Sequence, residues 1–120
     1  MTSSTQGEAH RVLLVDDEVQ LLRAFRRVLE AEGLHVVTCD NAPAALDAFS
    51  KQSFDVIVSD VSMPQLSGLD LLRAVRVWDL EIPVIIVTGA PTLSSAVEAV
   101  ELGAHKYLHK PVDNEELVRS

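Results

Sequence analysis

Residues 54–72 read FDVIVSDVSMPQLSGLDLL, and the fold class follows from working outward from them. The run 54–58 (FDVIV) is rich in β-branched apolar residues, as expected of a short buried strand. Ser59 and Asp60 close it. Residues 61–67 (VSMPQLS) make a loop, and from Gly68 to Trp78 the pattern is helical. Leu71, Leu72, Val75 and Trp78 recur at helical spacing and are expected to face inward. The unit is strand, acidic end, loop, helix.

The same unit recurs along the chain. Residues 12–15 (VLLV) end in Asp16 and Asp17. A helix follows over 18–32, with Leu21, Leu22, Phe25, Val28 and Leu29 on one stripe and Gly33 as its stop. Residues 34–39 (LHVVTC) predict a second strand. Residues 41–50 predict a helix, with Asn41 as cap and Pro43 in the first turn. Residues 83–87 (PVIIV) run into Thr88 and Gly89, and a helix over 92–102 is stopped by Gly103. Residues 105–109 form the fifth strand and end at Lys110-Pro111. Asp113 and Glu116 stand at capping-box spacing in a last, short helix over 113–120.

Strict alternation of strands and helices calls for an α/β, doubly wound parallel sheet of five strands with helices on both faces. VLLV, DVIV and PVIIV are apolar throughout and suit the interior. LHVVTC and HKYLH carry polar residues and suit the edges. The order 2-1-3-4-5 of flavodoxin-like folds places them so.

Composition agrees with one ordinary domain. The chain has 120 residues, 48% hydrophobic and 23% charged, and a net charge of −8. A chain this long buries about two thirds of its surface, enough for one core. Net acidity disfavours direct binding to nucleic acid and suits a cation or a basic partner. No apolar run approaches the ~20 residues of a membrane span. The single cysteine, Cys39, cannot form an internal disulfide, and residues 1–10 (MTSSTQGEAH) lack the regions of a signal peptide. Residues 1–10 are expected to be a disordered tail, residues 11–120 the domain, and the cytoplasm its compartment.

In open α/β sheets ligands bind at the carboxyl ends of the strands. Here those ends carry Asp16 and Asp17, Asp60, Thr88 and Lys110. Strands one and three should be neighbours, so three carboxylates converge. Left alone they repel each other, and an oxygen-only site of this kind suits Mg²⁺. Thr88 and Lys110 stand opposite, completing a cradle for a phosphoryl group. A carboxylate can attack phosphorus and form an acyl phosphate. Asp60, on a central strand between the acidic pair and the Thr/Lys pair, is the candidate nucleophile. Taken singly, a strand-terminal aspartate is ordinarily a helix cap and a lysine before proline a solvated loop residue. The case rests on their joint occurrence.

With these residues in view, the chain resembles the receiver domain of two-component response regulators. The stretches that carry the likeness are VLLVDDE (12–18), DVIVSDVSMPQLSGLDLL (55–72), PVIIVTG (83–89) and GAHKYLHKP (103–111), nearly the whole chain. The resemblance implies that Asp60 is the phosphoacceptor, and that Asp16 and Asp17, with the backbone carbonyl of Ser62, help hold Mg²⁺. It implies that Thr88 moves toward the phosphoryl group, that Lys110 pairs with it, and that Tyr107 is a switch aromatic; a half-buried edge-strand tyrosine is the plainer reading of Tyr107. It implies a cis bond before Pro111. The expected activity is a phosphorylation-dependent signalling switch, catalysing only its own phosphorylation and dephosphorylation. The donor would be a sensor histidine kinase or phosphotransfer protein, and an output domain beyond Ser120 or a separate partner would be controlled.

Ser62 and Ala90 are small where they flank the site, and Val112 replaces a common aromatic. His105 and His109 are expected on the strand face opposite Lys106 and Lys110, as packing or surface residues. Arg23, Arg26 and Arg27 read as a solvated helix face. The short last helix suggests a receiver cut from a longer chain, with reduced stability or self-association as a dimer over the uncovered patch. The competing reading of the same fold is a non-phosphorylated interaction module. A flavodoxin would need a phosphate loop where Asp16, Asp17 and Glu18 repel phosphate. A haloacid-type phosphatase would need an acid where Ser62 stands.

Overall fold

The computed structural model describes residues 10–63 and 65–110; the expected N-terminal tail up to residue 9, the last helix and Pro111 lie outside them. The described chain alternates strictly: β1 (Arg11–Val15), α1 (Val19–Ala31), β2 (His35–Cys39), α2 (Ala42–Lys51), β3 (Val56–Asp60), α3 (Gly68–Trp78), β4 (Val84–Thr88), α4 (Leu93–Glu101) and β5 (Lys106–His109). All four strand pairings are parallel, in the expected flavodoxin-like order β2-β1-β3-β4-β5, with the two more polar strands at the edges.

Side-chain alternation divides the core in two. Val12, Leu14, Val36, Val58, Ile85 and Val87 pack on one face against Leu22, Phe25 and Leu29 of α1. Leu13, Val15, Ile57, Val84 and Ile86 pack on the other, against Ala42 and Ala45 of α2 and Leu71, Leu72 and Val75 of α3. The central strands β1, β3 and β4 are apolar except for Arg11 at the start of β1 and Ser59, Asp60 and Thr88 at the carboxyl ends of β3 and β4.

The helix ends follow local chemistry. Asn41 caps α2 by accepting from the Ala44 N–H at 2.8 Å. Gly33 and Gly103 take positive φ, +88° and +80°, where a side chain would be strained. Ser67 and Asp70 form a reciprocal capping box at the start of α3.

Two expectations need revision. Trp78 does not face inward: it is 61% exposed and stacks on Phe49, ring centroids 6.0 Å apart. The apolar stripe of α3 ends at its last residue, where the ring lies against the end of α2 rather than among sheet side chains. Strand β3 also begins later than expected, at Val56 rather than residue 54, while β3 and β4 end at Asp60 and Thr88 as expected, just past their apolar runs. Ladder hydrogen bonds set a strand's end, and the Val61 N–H still donates to the Val87 carbonyl at 3.1 Å.

Candidate phosphoacceptor site

Register brings the acids together. Val15 lies opposite Ser59, so Asp16 and Asp60, one residue further on each strand, share a level. Asp60 is opposite Val87, and Thr88 is opposite His109, which puts Lys110 just past the same rim. Asp16, Asp17 and Asp60 each offer a carboxylate oxygen within 4.8 Å of the others. Asp16 and Asp60 are buried, and Asp17 is exposed at the mouth.

Lys110 reaches across this cluster. Its Nζ lies 2.9 Å from Asp16 Oδ2, 3.2 Å from Glu18 Oε1 and 3.4 Å from Asp60 Oδ2. Burial pulls the ammonium's pKa down, but the hydrogen bond and charge of Asp16, then Asp60 and Glu18, hold it above the ordinary lysine value. Asp60 lies above the ordinary carboxylate range because burial and the Asp16 charge outweigh Lys110 and the Ser62 N–H. Four carboxylates, those of Asp16, Asp17, Glu18 and Asp60, thus gather around the one ammonium of Lys110. An oxygen-donor set with one exposed member and excess negative charge fits a divalent cation that keeps water ligands.

Two backbone features position Asp60. The Gly68 N–H donates to the Val61 carbonyl at 2.9 Å, folding the loop back under the strand. A Cβ on Gly68 would lie 2.0 Å from the Asp60 carbonyl oxygen, so α3 can begin here only with glycine. Thr88 is buried, and its Oγ1 accepts from the Ala90 N–H at 3.1 Å. The Lys110 N–H donates to the Thr88 carbonyl at 2.8 Å, tying the two residues through the backbone.

The structure thus joins Asp16, Asp17, Asp60 and Lys110 directly. Thr88 stands at the same rim with its hydroxyl turned to its own loop. Ser62 is exposed in the loop after β3 and reaches Asp60 through its N–H. Tyr107, half-buried, points to the face covered by α2 and α3. His105 and His109 are exposed and outside the cluster. Glu18 was not foreseen as part of the site. Its only signal was its place directly after Asp16 and Asp17.

Comparison with known proteins agrees with this geometry. The response regulator receiver domain family matches residues 12–120, and the chain belongs to that family. It is 41% identical over 116 residues to the alginate biosynthesis transcriptional regulatory protein AlgB of Pseudomonas aeruginosa, covering 97% of this chain and 25% of that protein. It is 39% identical over 110 residues to the C4-dicarboxylate transport transcriptional regulatory protein DctD of the same organism, covering 92% and 24%. The chain therefore spans about a quarter of these relatives. Among solved structures, a CheY-like receiver domain from Methanospirillum hungatei superposes with a TM-score of 0.91 at 28% identity, over 93% of this chain and 90% of that one. A receiver domain from Clostridium thermocellum gives 0.87 at 36%, over 92% and 89%. Receiver domains are phosphorylation-controlled signalling switches of two-component systems rather than conventional enzymes.

Proposed function

We propose that Asp60 is this receiver's phosphoacceptor and that Asp16, Asp17 and Asp60, with the Ser62 carbonyl, hold Mg²⁺. The observation that carries the reading is the convergence of three carboxylates and Lys110 at the carboxyl rim of β1 and β3. When bound, the ion supplies positive charge beside the phosphoryl oxygens. An Asp60 carboxylate oxygen attacks phosphorus in line as the bond to the donor breaks. With a phosphohistidine donor the imidazole leaves with the bonding electron pair and takes up a proton. The product is an acyl phosphate on Asp60. Hydrolysis by water returns the free carboxylate and inorganic phosphate, so the chain acts chemically only on itself.

The group adds about −1.5 to −2 charge and three acceptors where negative charge is already in excess. Lys110 is placed to turn from Asp16 and Glu18 toward it. Thr88 Oγ1 accepts from the Ala90 N–H and keeps its own proton, which it can donate to the group once the residue moves toward it. Side-chain alternation puts Thr88 on the same sheet face as Ile86, and Ile86 is the register partner of Tyr107, so the two residues are diagonal neighbours. Movement of Thr88 therefore changes the space open to the Tyr107 ring. The donor is a sensor histidine kinase or phosphotransfer protein in the cytoplasm, and the altered face acts on an output domain or on a separate partner.

Incubation with Mg²⁺ and a small acyl phosphate should add one phosphoryl group to the intact mass. Asp60→Asn should add none. An unlabelled wild type that also fails to bind Mg²⁺ would instead make the chain a non-phosphorylated interaction module.

A further inference from the structure

Tyr107 is held by a group that belongs to another element's cap. Its hydroxyl lies 2.5 Å from Ser95 Oγ. Ser95 is the third residue of α4 and forms a reciprocal box with the N-cap, Thr92: Thr92 Oγ1 accepts from the Ser95 N–H at 3.0 Å, and Ser95 Oγ accepts from the Thr92 N–H at 3.3 Å. A serine hydroxyl has one proton and two lone pairs. Ser95 donates to the Thr92 carbonyl at 3.2 Å, which leaves its lone pairs for the Thr92 N–H and one further donor. Two hydroxyls are in reach of that last lone pair: Tyr107, and Thr92 Oγ1 at 3.0 Å. The phenol is the stronger acid and the closer of the two. Departure of the ring leaves no orphaned group on the helix, because the Thr92 hydroxyl can replace it.

The other end of the same loop is pinned by the bond from Ala90 N–H to Thr88 Oγ1. One short segment, residues 88–95, therefore runs from the buried threonine at the phosphoacceptor rim to the serine that holds the ring. We propose that Ser95 is a positioning residue, a latch that holds the Tyr107 ring in its half-exposed position and makes the first turn of α4 part of the switch. The inference rests on the reading of Thr88 and Tyr107 given above and adds to it the residue that sets their resting balance.

The chain has one tyrosine, so its ring resonances are uniquely assigned. With ring-labelled tyrosine, Ser95→Ala should shift the Tyr107 resonances of the unphosphorylated 120-residue chain. Ser95→Thr, which keeps a hydroxyl, should restore them toward wild type. Thr92→Ala, which weakens the cap but spares the Ser95 hydroxyl, should leave them near wild type. Removing one such bond should also tighten binding of beryllofluoride, an acyl-phosphate mimic, by about two- to tenfold. Tyr107→Phe combined with Ser95→Ala should give no more than either alone in that assay. Unchanged ring resonances in Ser95→Ala would overturn the latch, as would a resonance change of equal size in Thr92→Ala. Shifted resonances with unaltered beryllofluoride affinity would overturn its role in the switch. Absence of beryllofluoride binding by the wild type would count against Asp60 as acceptor, while the ring resonances would still decide the Ser95 contact.

Discussion

Lys110 is itself mostly buried and touches the buried Asp16 and Asp60 as well as the exposed Glu18, so removing it leaves two poorly solvated charges unpaired. Lys110→Met is expected to cost about 3 kcal/mol of stability at low divalent concentration, as for other broken buried pairs. Added Mg²⁺ should recover part of the loss, and a urea titration with and without the ion checks this. Gly68→Ala is expected to be more disruptive than its size suggests. A methyl at 2.0 Å from a backbone oxygen forces β3 or α3 to move, a cost of about 3 kcal/mol by analogy with overpacked cores, and it displaces Asp60 as well. At this scale the acids, Thr88 and Lys110 were legible in the sequence because each ends an apolar strand run. Glu18 and Ser95 were not, because what they touch lies across the fold. Lys110 is 92 residues from Glu18, and Tyr107 is 12 from Ser95.

Helix α3 carries devices at both ends. At its start, the Ser67 backbone N–H, ahead of the Ser67 hydroxyl and Arg73, holds the Asp70 carboxyl below its usual range. A depressed carboxylate stabilises the fold above its unfolded pKa, and that contribution is lost as pH falls through the folded value. Asp70→Asn should therefore lower the melting temperature at neutral pH, and the gap should close in acid; a gap that persists would contradict the cap. At its other end, Arg76 donates to the Leu102 and Gly103 carbonyls at 3.1 and 2.9 Å, satisfying the C-cap of α4 and the residue after it. Arg76→Ala should cost about 1–3 kcal/mol, read by chemical denaturation. Helix existence was legible from apolar spacing, but the direction of Trp78 was not. Spacing defines a stripe and does not say where along it the core stops. The single tryptophan should therefore emit as a largely solvated indole and be readily quenched by acrylamide; a blue-shifted, protected emission would contradict its placement on Phe49.

Over the whole molecule, the sheet acts as a frame that holds opposed charges at one rim, with α1 packed on one face and α2 and α3 on the other among the described residues. The two edge strands were legible from their polarity, but the order of β1, β3 and β4 between them followed only from the flavodoxin-like pattern, and these buried strands still carry Ser59, Asp60 and Thr88. The carboxyl ends of β3 and β4 were legible too, at Asp60 and Thr88, where backbone pairing continues past the last apolar side chain. That extension matters chemically, for it places Asp60 and Thr88 on the frame and not on a loose loop. An Asp60 carboxylate oxygen is the atom expected to carry the phosphoryl group. An acyl phosphate, unlike a phosphate ester or a free carboxylate, is reduced by borohydride to the alcohol. Borohydride treatment of the phosphorylated chain, followed by peptide mass mapping, should find homoserine at position 60 and nowhere else. Reduction at another acid, or an unreduced Asp60 in a chain that carries phosphate, would contradict the account.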